Sequence, residues 1–231
     1  AEYRKALRKD PDSSEYKKAI DELDSEIEER AADAVADARA MQRKGRWLAA
    51  AEKFDIASKY KPYDSDLKAH RALSELKSKG LDTYGWYQAL ANLANELTES
   101  SIVKKSLKKA KTKAYQEQLG AGRMYLDEGK GTDSHNAFQK AREIDSAMPG
   151  VSGESLDKAE ALFLADQAKA HWDKGDAVSA YEAYQAAYNK LKLPEIKAGM
   201  QKAQRKASRI IKLLDQAKGY FNNDRYAAAV A

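Results

Sequence analysis

The sequence contains no cysteine among its 231 residues. This absence excludes disulfide bonds, cysteine nucleophiles and metal sites with thiolate ligands. A cytosolic protein usually retains some thiols by chance, whereas this chain has none and yet has thirteen tyrosines. That combination favours a bacterial periplasmic or other extracytoplasmic location over the cytoplasm.

Proline and glycine are also scarce, with four and twelve residues respectively. The chain is instead rich in alanine, lysine, leucine and glutamate, which favour helices over sheets. No run of apolar residues approaches the ~20 that a membrane-spanning helix requires. The composition therefore predicts an all-α protein without a membrane span.

Groups that would support catalysis or metal binding are sparse and isolated. The three histidines, His70, His135 and His171, have no second histidine or carboxylate four residues later to form a helical metal pair. Residues 120–122 and 129–132 contain closely spaced glycines, but both segments lack the complete pattern of a nucleotide-binding loop. The sequence therefore predicts packing or surface histidines and a protein with no enzymatic activity, no metal and no cofactor.

A spaced pattern of glycine, aromatic and alanine residues recurs along the chain. The clearest copy consists of Gly45, Trp47, Ala50, Phe54, Ala57 and Pro62. The offsets from the glycine place the aromatic and alanine residues on one stripe of a helix that stops near the proline. Small residues in that stripe would let a neighbouring helix approach closely, and the second aromatic residue would fill the gap one turn later.

Further copies of this pattern follow, with longer spacing between them. They consist of Gly175, Ala177, Ala180, Tyr184, Ala187 and Pro194, and of Gly129, Ser134, Phe138, Ala141 and Pro149. Another copy begins at Asp224, and a weak candidate around Gly80 lacks an aromatic residue at the expected offset. The tetrapeptide Asp-Gln-Ala-Lys occurs at residues 166–169 and again at residues 215–218, which indicates duplication.

This pattern resembles the tetratricopeptide repeat family, in which helix-turn-helix units pack into a superhelix. The resemblance implies an elongated, right-handed α-solenoid of about five helical hairpins. Residues 31–231 would form divergent repeats with lengthened first helices, the last repeat being truncated, and residues 1–30 would form an N-terminal helical cap or extension. Because residues 227–231 lie inside an expected helix, we interpret the chain as a piece of a longer protein.

Two long apolar seams, with alternating steps of three and four residues, extend beyond the repeat pattern. One consists of Ile20, Leu23, Ile27, Ala31, Ala34, Ala38 and Met41, and the other of Ile196, Met200, Ala203, Ala207, Ile210, Leu214, Ala217 and Phe221. Each seam predicts a long helix with one apolar face, and Asp12 and Glu15 are spaced as a capping box before the first. We expect both seams to pack against a neighbouring repeat; the alternative is a coiled coil with an outside partner.

Charge is unevenly distributed, although the net charge is only +5. Residues 1–30 have ten acidic and seven basic side chains, whereas residues 101–125 and 197–218 each have seven basic side chains and one acidic one. The first basic segment includes Lys104, Lys105, Lys108, Lys109, Lys111 and Lys113. Such a run could bind phosphate or an anionic polymer, but it more often forms a solvated helix face. Because arginine and exposed aromatic residues are scarce beside it, nucleic acid is not the expected partner.

In the tetratricopeptide family, the first helix of each hairpin lines a concave groove that commonly binds peptide segments. The position six residues before the turn marker is basic in four repeats, at Arg39, Arg123, Lys169 and Lys218. The position three residues before the marker is apolar or aromatic in the later repeats, at Leu126, Trp172 and Phe221. The resemblance therefore implies a row of cations beside an aromatic wall, suited to an acidic or C-terminal carboxylate peptide with a hydrophobic anchor. Burial of the two large aromatic residues between lengthened helices is the alternative.

Two classes of function remain open. The first is a non-enzymatic protein-interaction scaffold, such as a bacterial assembly or secretion component, that binds a protein or peptide segment in the groove. The second is a self-associating structural module, in which the acidic N-terminal segment meets the basic helices of another copy, or a regulatory domain of a larger enzyme. The oligomeric state at low and high salt would discriminate between an outside ligand and self-association.

Overall fold

A computed structural model describes residues 2–222, except for the side chains of residues 3 and 219–222. The described residues form ten α-helices and no strand, which confirms the predicted all-α class. The helices are α1 (Glu2–Lys9), α2 (Ser14–Arg43), α3 (Trp47–Tyr60), α4 (Ser65–Ser78), α5 (Thr83–Glu96), α6 (Ser101–Asp127), α7 (Gly131–Ile144), α8 (Gly153–Asp173), α9 (Ala177–Lys190) and α10 (Pro194–Asn222). Within this part of the chain, no helix has both the length and the apolar character needed to cross a bilayer.

The chain divides into two compact units, residues 1–113 and residues 114–231. In the first unit, helices α1 to α5 pack in chain order, each against the next. In the second unit, helices α7 to α10 also pack in chain order. Helix α6 contributes its first part to one unit and its remainder to the other. Both units are therefore built from sequential helix pairs, as the repeat pattern predicts.

A glycine with positive φ follows the first helix in each of four hairpins. These residues are Gly45, Gly80, Gly129 and Gly175, with φ values between 62° and 83°. A residue with a β-carbon would be strained in this left-handed conformation, whereas glycine adopts it readily and lets the chain reverse into the next helix. The glycine markers of the sequence therefore correspond to the turns between paired helices, including the turn of the weakest repeat.

Small residues at two positions of the repeat pattern are completely buried. They lie five and twelve residues after the turn glycine, at Ala50, Ala57, Ser134, Ala141, Ala180 and Ala187, each with 0% exposure. The aromatic residue nine positions after the glycine is also buried at Phe54 and Phe138, whereas Tyr184 is half-buried. Because such small side chains separate the backbones, neighbouring helices can approach closely. The spacing of the repeat pattern in the sequence is therefore also the spacing of the buried core residues along each second helix.

Two of the long first helices, α2 and α10, are about twice as long as the short helices that pack against them. Helix α2 has 30 residues and α10 has 29, whereas α3 and α9 have 14 each. At about 1.5 Å per residue, the long helices span roughly 45 Å and the short ones roughly 21 Å. The seam of α2 is consequently buried at Ala31 but 42% and 37% exposed at Leu23 and Ile27, and Leu214 of α10 is 54% exposed. The expected packing against a neighbouring repeat is therefore confirmed at the buried alanines of each seam and wrong at Leu23 and Ile27. The repeat expected to follow α10, which begins at Asp224, lies outside the described residues.

The predicted boundary between cap and repeats, after residue 30, lies inside α2. This helix is continuous from Ser14 to Arg43. Its burial nevertheless begins with Ala31, and the residues before that position are exposed or half-buried. The boundary thus separates an outer from a packed part of one helix.

The N-terminal cap of α2 lies one residue later than expected. The hydroxyl of Ser13 accepts a hydrogen bond from the backbone N–H of Tyr16 at 3.3 Å, so Ser13 is the N-cap residue. The predicted capping box at Asp12 and Glu15 is therefore wrong, because serine offers an equivalent oxygen acceptor next to the first helical turn.

Candidate ligand-binding surface at Trp172

Trp172 lies in the last turn of α8, and its side chain is half-buried. The ammonium groups of Lys202 and Lys206, both on α10, lie over its indole ring at 4.7 and 5.0 Å from the centroid. These two lysines are four residues apart and therefore share one face of α10. The negative face of the indole attracts both cations, which holds two positive charges side by side at the surface.

Two arginines extend this basic surface along α10. Arg205 and Arg209 are exposed and lie three and seven residues after Lys202, on the side of the helix away from its buried alanines. Among the described residues, no carboxylate forms an ion pair with any of these arginines or with Lys202 and Lys206. We refer to Trp172 and these four cations as the α8–α10 basic surface.

Three of the residues expected to line a groove differ in their relation to this surface. Lys169 is exposed on α8, three residues before Trp172, so both side chains lie on the same side of the helix. Lys218 is exposed on α10, twelve residues after Lys206, which corresponds to roughly 18 Å along the helix axis. Phe221 belongs to the last turn of α10, and its side chain lies outside the described residues. The structure therefore groups Lys169 with Trp172 and leaves Lys218 at a distance.

Two further groove candidates are involved in the packing of the second unit. Leu126 is 7% exposed and belongs to a core cluster with Phe138, so it offers no surface to a ligand. Arg123 is exposed and donates a hydrogen bond to the backbone carbonyl of Gly150, in the connection between α7 and α8. The expected groove role of Leu126 is incompatible with its burial, and Arg123 already has an intramolecular acceptor.

The remaining groove candidate, Arg39, lies exposed on α2 in the first unit. Burial lowers the pKa of His70 on α4, and the positive charge of Arg39 lowers it further. Gln42, which lies three residues before the turn glycine Gly45, donates a hydrogen bond from Nε2 to the hydroxyl of the buried Ser74 at 3.0 Å. Successive first helices α2 and α4 therefore meet at these positions, as α8 and α10 meet at Trp172.

Two of the three histidines stack on aromatic rings. The ring centroids of His70 and Phe54 are 5.2 Å apart, and those of His135 and Phe163 are 4.3 Å apart. Burial is the largest cause that lowers the pKa of both imidazoles. These histidines serve packing, as the sequence predicts. In the described part of the chain, no three His, Asp or Glu side chains converge as ligands for a metal ion.

The α10 cations that contact Trp172 do not lie at the groove positions, which are three and six residues before each turn marker. Lys202 and Lys206 lie in the first half of α10, whereas the groove positions Lys218 and Phe221 lie near the end of that helix. These contacts place the last turn of α8 beside the first half of α10. The only signal for this surface in the sequence is the basic composition of residues 197–218.

Comparisons with protein-family models, curated proteins and solved structures returned no match. The resemblance to the tetratricopeptide repeat family therefore stays a prediction.

Proposed function

We propose that this chain is a non-enzymatic protein-interaction scaffold whose α8–α10 basic surface binds an acidic segment of a partner protein. The observation that carries the proposal is the indole of Trp172 beneath Lys202 and Lys206, with two exposed arginines on the same side of α10. An acidic ligand is attracted to such a cluster because it neutralises the clustered positive charge. We further propose that the hairpins form a right-handed, tetratricopeptide-like stack, whose first helices would present their surfaces to a peptide.

Each part of the surface would make a different contribution to binding. Arg205 and Arg209 can each hold a carboxylate through two parallel hydrogen bonds. The methylene stems of the two lysines, together with the edge of Trp172, offer an apolar contact for a neighbouring side chain of the ligand. Electrostatic attraction would accelerate association, and it would weaken as the salt concentration rises. The apolar contact would persist at high salt.

The proposed site consists of the α8–α10 basic surface together with Lys169. It therefore retains Lys169 and Trp172 from the groove expected from the sequence and adds the four α10 cations. Lys218 falls outside it because of its distance along α10. Fluorescence anisotropy with a labelled peptide of alternating glutamate and leucine tests the proposal. The parent protein should bind this peptide with an affinity that falls as salt increases, and an absence of binding at low salt would contradict the proposal.

Self-association is a second candidate function, favoured by exposed apolar side chains at the outer ends of two long helices. Leu23 and Ile27 lie on the acidic first part of α2, and Ile211 and Leu214 are 48% and 54% exposed on the basic helix α10. Opposite charge and exposed apolar surface suit a head-to-tail contact between two copies. Size-exclusion chromatography with light scattering tests this, and a monomer at low salt and high protein concentration would exclude it.

A further inference from the structure

A pocket of about 440 Å³ lies in the first unit, where the turn between α4 and α5 meets α6. Its apolar wall is formed by Leu76 of α4, Leu81 of the turn and Trp86 of α5. Helix α6 contributes a further wall through Ala110. Volumes of this size are typical of sites that hold a small molecule.

The pocket belongs to the hairpin in which the repeat pattern is weakest. Nine residues after its turn glycine this hairpin has Ala89, where the other three hairpins have an aromatic residue. Large side chains from three helices, including Leu76 and Trp86, instead meet in one core cluster. Gly80 leaves one edge of the pocket open, since a β-carbon at this residue would meet no atom within 4 Å. A departure from the repeat pattern therefore coincides with a concave apolar surface.

Three lysines surround this pocket. Lys77 comes from α4, whereas Lys109 and Lys113 come from α6 and are one helical turn apart. All three are exposed, and no carboxylate in the described part of the chain forms an ion pair with them. Lys77 also contacts Trp47, since its Nζ lies 4.1 Å from the indole centroid. The pocket thus combines an apolar wall with positive charge at its rim.

We infer that this pocket binds a small amphiphilic anion. The apolar body of the ligand packs against Trp86 and the two leucines, and its anionic head pairs with Lys109 and Lys113. A small molecule suits the pocket better than a peptide, because a peptide backbone needs several hydrogen-bonding partners. Of the described residues that line the pocket, only Thr83, Trp86 and Ser106 offer neutral hydrogen-bonding side chains.

The same hairpin contains an internal control for the role of charge. A second hollow, of about 340 Å³, is lined by residues that include Ala89 and Leu93. Its charged lining residues are Glu75, Glu96 and Lys79, so its rim has a net charge of −1. A ligand that is selected by negative charge should therefore distinguish the two hollows, although both have apolar walls.

Titration of the full chain with octanoate and, separately, with 1-octanol tests this inference by two-dimensional ¹H–¹⁵N NMR. The two probes have apolar chains of the same length, but only octanoate is charged. We expect octanoate to shift the indole N–H signal of Trp86 and the amide signals around Ser106, and to leave those around Ala89 unchanged. Octanoate should bind about fivefold more tightly than 1-octanol at low salt, and this ratio should fall at high salt.

Paired substitutions on α6 separate the pocket lysines from the rest of the lysine run. Lys109→Gln/Lys113→Gln should weaken octanoate binding about fivefold and leave 1-octanol binding within about twofold of the parent. Lys104→Gln/Lys105→Gln removes two exposed lysines that do not line the pocket and should retain the parent affinity. Ser106→Phe places a ring in the pocket without changing its charge and should abolish binding of both probes while circular dichroism stays helical.

Equal affinities for octanoate and 1-octanol would overturn the inference, because charge would then not select the ligand. Equal losses of octanoate affinity in the two double lysine variants would also overturn it, because the pocket lysines would then have no special role. Signal shifts confined to residues away from the pocket would exclude this pocket as the binding site of octanoate. Binding of an acidic peptide at the pocket without binding of octanoate would replace the small anion by a peptide as the occupant.

Discussion

The ring of Phe138 lies against the backbone of Gly122, so that a β-carbon at this glycine would come within 2.7 Å of two ring carbons. Tyr184 and Gly199 have the same relationship, again at 2.7 Å. In both pairs, the aromatic residue of the repeat pattern packs on a glycine of a first helix. Because packed protein interiors leave no room for such an overlap, these two contacts depend on glycine.

Gly122→Ala should destabilise the protein by ~1–3 kcal/mol, because the added methyl group would displace Phe138. Gly120→Ala is the matched control, since it lies in the same helix and a β-carbon there would meet no atom within 4 Å. The control should stabilise the protein by ~0.5–1 kcal/mol through helix propensity. Chemical denaturation measures both changes, and equal stability of the two variants would contradict the contact with Phe138.

Ala50→Leu and Ala180→Leu should each destabilise the protein by ~1–3 kcal/mol, because leucine would overpack a helix contact. Both alanines are 0% exposed. Ala186→Leu, at an exposed position of the helix that contains Ala180, should change stability by less than ~0.5 kcal/mol. Thermal melting of the three variants tests the repeat spacing, which would be incorrect if the core variants melted like the control.

The stability of the chain should decrease as the pH falls from about 7 to about 5. Burial lowers the pKa of His70 and His135 in the folded state, so the unfolded state binds protons first, near the ordinary histidine pKa of about 6.5. The contribution of the neutral imidazoles is complete above that value and is lost as the pH falls toward the lower folded-state pKa. His70→Gln/His135→Gln should flatten the dependence of the melting temperature on pH. An unchanged slope would show that other groups cause this pH dependence.

Binding of an acidic peptide should depend on the α8–α10 basic surface in two distinguishable ways. Lys202→Glu/Lys206→Glu should weaken binding about tenfold at low salt and much less at high salt, because salt screens exposed charge. Trp172→Ala should weaken binding at every salt concentration, in a protein that circular dichroism shows to be folded. Lys218→Glu is the matched control at roughly 18 Å along α10 and should change the affinity less than about twofold.

Fluorescence anisotropy at two salt concentrations measures all these affinities. Equal losses in the Lys218→Glu control and in the double lysine variant would favour the longer row of cations expected from the sequence. A Trp172→Ala protein that unfolds would instead place the indole among the residues required for the core. The first result would extend the binding site beyond the α8–α10 basic surface, and the second would remove Trp172 from it.

Features that depend on local spacing are the ones that the sequence predicts well. Gly45 and Gly175 mark turns because the left-handed conformation is a property of a single residue. Ala50 and Ala180 are identified as core residues because the helical period relates them to the next aromatic residue within about one turn. The pocket at Trp86 has no such signal, since its walls come from three helices and its position follows from a departure from the pattern.

The sequence by itself determined the all-α class, the hairpin turns and the buried alanines, because backbone preference and apolar periodicity act within a few helical turns. Only the tertiary structure decided that Leu126 lies in the core and that Arg123 donates to Gly150, 27 residues later. It also decided which α10 cations lie over Trp172. These relationships depend on how far one helix extends beside another, and no periodicity within a single helix contains that information.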